Sequence, residues 1–218
     1  VNDYRNTRYC SSLENVKNKK GTLEDAIYKN HTKQKIIYNK VKDTAYEYRK
    51  NFMEIYNYKC CYCGNSIVNL GATLLEIDHY ICESSFDSKE VAGRIGNLVL
   101  ACYDCNRSKS GFVIKEEYKE ILDPDMDNIK SVFTRDDDYY IKIAEQYEAD
   151  EFIKGFHNQL RLSYQSRRLD FLLVNLNGLC QKLDGKPQAE RLNVILRKLK
   201  EKRNLIISKG LSEESVLA

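Results

Sequence analysis

The chain has 218 residues, 42% of them hydrophobic and 31% charged, and a net charge of +3. That balance excludes wholesale disorder and leaves room for one large domain or two small ones, each with a buried core. No apolar run reaches the roughly 20 residues of a membrane span, and 2 prolines and 10 glycines exclude a collagen-like or linker-rich design. Val1 to Cys10 is polar and lacks the apolar stretch of a secretion signal. With no initiator Met, the numbering is expected to start inside the natural protein.

Residues 1–59 carry a net charge of +6 and read as an N-terminal helical region. From Leu23 to Tyr58 there is no Pro or Gly, and Ile27, Ile36, Ile37, Val41, Tyr48, Phe52 and Ile55 recur at helical spacing. Thr22 and Asp25 form a capping box that would start the first helix. The centre, residues 60–114, has a net charge of −2 and a different texture. Leu74 to Ile77 and Asn97 to Ala101 are short apolar runs that follow glycines, which predicts two strands. Tyr103 to Lys109 predicts a helix closed by Gly111.

Residues 115–151 are acidic, with a net charge of −8. Asp123-Pro124-Asp125 predicts a turn. Asp136, Asp137 and Asp138 read as a solvated hairpin tip between Val132-Phe133 and Tyr139-Tyr140-Ile141. Ala149 to Leu183 predicts helix, broken by Gly185-Lys186-Pro187, and Gln188 to Ile207 a last basic helix. Residues 152–209 carry a net charge of +9. The predicted organisation is therefore a helical region at 1–59, a core at 60–114, a hairpin and helical region at 115–209 and a flexible tail at 210–218. The fold class is α+β, mainly helical. Two basic flanks around a near-neutral centre fit a polyanion, although solvated basic helix faces give the same count.

Cys60-x-x-Cys63 and Cys102-x-x-Cys105 are two matched pairs in a chain of eight cysteines. In a chain without a secretion signal they read as metal ligands in a reducing cytosol, and a cytoplasmic location is expected. Four thiolates suit tetrahedral Zn²⁺, and a filled coordination shell makes the zinc structural. Buried free thiols are the alternative. Cys61 would ligate only in a strained geometry and is left out of the set.

Between the two pairs stands Glu76-Ile77-Asp78-His79, and the stretch from Gly96 to Gly111, which contains the second pair, holds Asn97, Asn106 and Lys109. Over Cys60 to Phe112, about a quarter of the chain, the sequence resembles the HNH endonucleases, whose core is a zinc-stapled ββα-metal finger. The resemblance implies hydrolysis of DNA phosphodiester bonds. It implies His79 as the general base and Asn97 as the residue that orients its ring. Asp78 and Asn106 would be ligands of one catalytic Mg²⁺ or Mn²⁺, and Lys109 would contact a phosphate, with Arg107 a weaker candidate for that task. By strand alternation Asp78 and His79 point to opposite faces.

The chain departs from the family pattern in two places. The final His of the pattern is Asn106, a residue that occurs there within the family. Cys82 stands where Pro is frequent, which bears on the loop after His79. Glu83, Asp87 and Glu90 in that loop read as solvated acids. A zinc-stabilised nucleic-acid-binding or assembly subunit without activity would hold the same four cysteines. It would have no need of Asp78 and His79 together with both asparagines and Lys109. Leu122 to Ile141, followed by Gln159 to Leu162 and Arg167 to Asp170, is similar to the C-terminal part of HNH subunits in Septu-type and retron-associated antiphage systems. That similarity implies an ABC-type ATPase partner. RNA as a substrate is left open by composition.

Overall fold

The computed structural model describes residues 3–214, with side chains as far as Lys209. It is a mixed α+β structure in which helices surround two small antiparallel sheets. Three helices come first: α1 (Val16–Asn30), α2 (Ile37–Lys42) and α3 (Tyr48–Ile55). The helical periodicity is thus realised in three pieces, not in one run. The predicted Thr22 cap is not used: α1 starts at Val16, and the Thr22 hydroxyl donates back to the Asn18 carbonyl inside the helix. The inward face of α1 is Val16, Lys20, Leu23 and Ile27, spaced as a buried helix stripe requires.

The buried lysine in that stripe ties the helix to the centre. Lys20 Nζ lies 2.5 Å from Asp125 Oδ2 and donates to the Leu98 carbonyl at 2.7 Å. Tyr56 donates to the other oxygen of Asp125 at 2.7 Å. The Asp123-Pro124-Asp125 turn therefore supplies a buried carboxylate with two partners, as a buried charge needs.

The centre holds β1 (Leu75–His79), a single helical turn α4 (Lys89–Ala92), β2 (Leu98–Cys102) and α5 (Tyr103–Lys109). β1 and β2 pair antiparallel, with Asp78 opposite Val99 and His79 opposite Leu98. Asp78 and His79 are thus the last residues of the strand. The helix α5 matches its predicted span, but its cap is Ser110 at φ 46°, not Gly111.

A second helical turn, α6 (Ile129–Val132), leads into the hairpin β3 (Phe133–Arg135) and β4 (Ile141–Ile143), with the three aspartates at its tip. The predicted Ala149–Leu183 helix is split into α7 (Glu151–Gln159) and α8 (Gln165–Lys182). Asp150 caps α7 by accepting from the Phe152 and Ile153 amides. The final helix, α9 (Pro187–Glu214), runs through Ser208 and on to Glu214, past the expected start of the tail. Residues 215–218, the rest of the expected tail, lie outside the described residues. Among the described residues no helix is long and apolar enough to cross a membrane.

One hydrophobic cluster runs from Tyr4 to Leu162 and so takes side chains from both flanks and the centre. A smaller cluster of Leu173, Cys180 and Leu196 joins α8 to α9. His157 belongs to the main packing: it is 7% exposed, and its Nε2–H donates to the Ile141 carbonyl at 3.0 Å. Burial pushes its imidazole pKa down from 6.5. The unfolded chain therefore takes up a proton that the fold refuses. Stability should be level above about pH 6.5 and should fall below it, with a slope of up to about 1.4 kcal/mol per pH unit from this group. Melting curves of wild type and His157→Gln between neutral and acidic pH check this. The acid slope should be shallower in the variant, and equal slopes would contradict the assignment.

Candidate active site and zinc centre

The first cysteine pair sits on a tight turn. The Cys60 amide donates to the Asn65 carbonyl at 2.7 Å and the Gly64 amide to the Cys60 carbonyl at 3.0 Å. Gly64 has φ +77°, and a Cβ there would lie 2.4 Å from the Arg5 carbonyl oxygen, so glycine is required twice over. Arg5 packs beneath this turn and donates to the Cys61 carbonyl at 2.8 Å. The second pair spans the end of β2 and the first turn of α5.

The four sulfurs of Cys60, Cys63, Cys102 and Cys105 lie within 4.8 Å of one another, and all four residues are buried. Cys63 and Cys102 are 3.8 Å apart. A tetrahedral zinc with Zn–S near ~2.3 Å needs sulfur edges of about 3.8 Å. Cys61 is outside the cluster, as expected. A further cation addresses these sulfurs: Arg167 Nη1 of α8 is 3.8 Å from both Cys63 Sγ and Cys102 Sγ, and the side chain is only 3% exposed. A buried arginine against thiol groups makes sense where the sulfurs carry negative charge. Hydrogen bonds from Cys102 and Cys105 hold the Cys63 thiol low, while burial pushes Cys60 up and the crowding of Cys102 pushes Cys105 up. Losing all four protons requires a divalent cation, and the donor set fits Zn²⁺.

The catalytic candidates lie on β1 and α5 and in the turn between β1 and β2. Period-two alternation puts Glu76 and Asp78 on the face of β1 that meets α5. Asn106 Nδ2 donates to Glu76 Oε2 at 2.6 Å. Lys109 Nζ is 3.0 Å from Asp78 Oδ2 and donates to the His79 carbonyl at 2.8 Å. Tyr62 donates to Asp78 Oδ2 at 3.4 Å. Burial raises the Asp78 pKa, and Lys109 opposes the rise. The His79 ring has a separate neighbour, the ring of Tyr38 on α2, with centroids 4.6 Å apart. Burial lowers the His79 pKa, which favours the neutral imidazole that a base must present.

Two expected roles change. Lys109 is 1% exposed and paired with Asp78, so it does not present a charge to a phosphate; it holds the carboxylate and the end of β1. Asn97 does not orient the His79 ring through any hydrogen bond. Its Oδ1 accepts from the Ile81 amide at 2.8 Å, and its Nδ2 donates to the Ile81 and Ala92 carbonyls at 3.0 and 2.9 Å. Asn97 therefore clasps the loop that leaves His79. Arg107 is 67% exposed and stands 3.9 Å from Glu76 Oε1. Glu83, Asp87 and Glu90 are exposed, as a solvated loop requires, and Glu83 pairs with Lys89.

Three residues of the site escaped the sequence reading. Glu76 was legible, because it is two positions before Asp78 on a strand. Tyr38 and Arg167 gave no local signal, since each reaches the centre from a distant helix. Asp78, Asn106 and Glu76 are the oxygen-bearing side chains that a hard cation would find where β1 meets α5. Asn106 spends its Nδ2 on Glu76, so its carbonyl oxygen is the atom left for ligation. Carboxylate and amide oxygens on one face fit Mg²⁺ or Mn²⁺.

Residues 60–112 match the family model of the HNH endonucleases. The matched segment contains all four clustered cysteines together with Asp78, His79, Asn97, Asn106 and Lys109. No significant match is found among curated proteins or among solved structures.

Proposed function

We propose that the chain is a metal-dependent HNH endonuclease that hydrolyses DNA phosphodiester bonds. The observation that carries this reading is the arrangement on β1 and α5. His79 ends β1 directly after Asp78, with burial favouring its neutral imidazole, and the oxygen-bearing side chains of Asp78, Glu76 and Asn106 lie where β1 meets α5, within the segment that matches the family model.

In this reading His79 takes the proton of the attacking water, and Tyr38 packs against the ring and limits its movement. Asp78 and Asn106 hold the cation, with Glu76 as a further donor. When bound, that cation supplies Lewis-acid stabilisation and a template for the phosphate and leaving oxygen. Lys109 keeps Asp78 ionised despite its burial, and Asn97 fixes the loop after His79. The four cysteines and Zn²⁺ hold β2 and α5 together beneath the site.

The antiphage setting and the ABC-type ATPase partner are part of the proposal, supported by the similarity of the C-terminal region. Exposed Val194, Ile195 and Leu205 on α9 are available for such a contact. The cytoplasmic location is proposed on the free thiols and the zinc chemistry.

The test is nicking of supercoiled plasmid by zinc-loaded protein with Mg²⁺ or Mn²⁺, beside His79→Ala and a chelated control. His79→Ala is expected to lower the rate by about 10²–10⁴-fold, the usual worth of a positioned base. Cleavage by His79→Ala at the wild-type rate would remove the assignment. Absence of cleavage with and without a co-purified ATPase would favour a binding subunit.

A further inference from the structure

With Lys109 buried against Asp78, a phosphate at His79 needs a cation from elsewhere. The helix α2 supplies one, from the N-terminal region and outside the segment that matches the family model. Ile37 and Val41, four residues apart, are 1% and 0% exposed and seat the helix in the core. Tyr38 and Lys42, the next pair at the same spacing, form the adjoining stripe, the first half-buried and the second exposed.

That stripe meets the end of β1. The centroids of the Tyr38 and His79 rings are 4.6 Å apart. Lys42 Nζ lies 5.3 Å from the centroid of the same Tyr38 ring, within the range of a cation–π contact. The tyrosine is thus the shared neighbour of the imidazole and the ammonium. The start of α2 is also fixed to the loop that follows His79, because the Tyr38 amide donates to the Gly93 carbonyl at 3.0 Å. A Cβ at Gly93 would lie 2.9 Å from Ile36 Cγ2 and 3.2 Å from Tyr38 Cβ, so a glycine there lets the helix come this close.

Charge singles out Lys42. The carboxylates whose charge bears on His79 are Asp78 and Glu83, and each has a lysine of its own, Lys109 and Lys89. Lys42 bears on His79 as well, yet among the described residues it has no carboxylate within ion-pair distance. The adjacent Asp43 carboxylate accepts from the Ala45 amide at 2.9 Å. Lys40, two residues back and so on the opposite side of α2, places its ammonium 3.1 Å from the Tyr46 hydroxyl. An exposed ammonium with no acid partner, next to an imidazole, is a place for a phosphodiester oxygen.

We propose that Lys42 contacts the scissile phosphate of DNA at His79, and that Tyr38 is the residue that positions both side chains. The proposal rests on the nuclease reading and names the phosphate contact of that same site. It gives the N-terminal helical region a share in the active site, since the finger alone carries the base and the metal donors without this contact.

The experiment uses zinc-loaded full-length protein. It measures plasmid nicking and, in a His79→Ala background, binding of a short labelled DNA duplex by fluorescence anisotropy. Lys42→Ala should slow nicking by roughly 10–10²-fold, the worth of a charge-assisted contact, and lower the salt slope of binding by about one. Lys42→Arg should keep the salt slope and recover most of the rate. Lys40→Ala, on the same short helix, should match the parent in both. Tyr38→Phe keeps the ring and should nick as the wild type does, whereas Tyr38→Ala should be slow. A Tyr38→Phe variant as slow as Tyr38→Ala would remove the positioning role. Equal salt slopes of the parent and Lys42→Ala, or an equal loss in Lys40→Ala, would overturn the phosphate contact. So would a parent that does not bind the duplex, or a Lys42→Ala variant that melts early with its salt slope unchanged. The two readings fail separately. A salt slope that depends on Lys42 in a protein that never nicks would support the contact and remove the nuclease. Nicking that Lys42→Ala leaves at the wild-type rate would remove Lys42 alone.

Discussion

Lys109→Ala is expected to lower stability by roughly 3–5 kcal/mol, because it leaves the Asp78 carboxylate buried without its cation. The same change frees the end of β1, since Lys109 also donates to the His79 carbonyl. Cleavage should fall on the order of 10²-fold from misplacement of Asp78 and His79. DNA affinity and its salt slope should stay as in the wild type. A lysine that contacted a phosphate would behave oppositely, with a salt slope smaller by about one and little change in stability. Lys109→Met keeps the stem of the side chain and removes only the charge. It should reproduce the loss of cleavage with a smaller loss of packing. Denaturant melts, plasmid nicking and salt titration of DNA binding together separate the two roles.

Loss of the zinc should have the larger structural effect. Structural zinc in small finger peptides contributes about 10–16 kcal/mol of apparent binding energy, comparable to or above the whole stability of a typical domain. Cys105→Ala should release the metal, expose the remaining thiols to alkylation and abolish the cooperative melt of the centre. Cys61→Ala is the matched control. Its sulfur is fully buried yet outside the cluster, so it should retain one zinc per chain and lose only about 1–2 kcal/mol. Metal content by mass spectrometry, with the alkylation pattern, reads both outcomes. Zinc retained by Cys105→Ala, or lost by Cys61→Ala, would redraw the ligand set.

The zinc ligands were legible because their chemistry is local. A C-x-x-C turn brings two sulfurs together by itself, and two such turns define the tetrahedron. The strand pair and α5 were legible for a similar reason, as short apolar runs bounded by glycine and by the knuckles. The misreadings come from side chains whose fate depends on what packs over them. Spacing places Lys109 on the face of Asn106, but only the position of β1 against α5 shows that this face is covered. Asn97 is a short amide, and the choice between a ring and a loop as its partner is made by the fold of residues 80–92. Periodicity also misses corners made without Gly or Pro. His31 to Ile36 and Leu160 to Tyr164 interrupt helices in stretches whose apolar spacing continues across the break.

The surroundings of the first knuckle set how far the finger can be treated as a transplantable part. Arg5 closes over it from the N-terminal side and satisfies the Cys61 and Pro124 carbonyls. Arg167 lies on its Cys63 sulfur from α8, one turn before Asp170, which accepts from Asn65 of the knuckle and pairs with Arg203 of α9. Cut out at residues 60 and 112, the finger would keep its four ligands and lose these outside cations. Grafted onto another scaffold, it would need substitutes for Arg5 and Arg167 before its metal could hold it in shape. The flanking helices are in that sense a fitted housing for the finger, and changes in either have to be accommodated by the other.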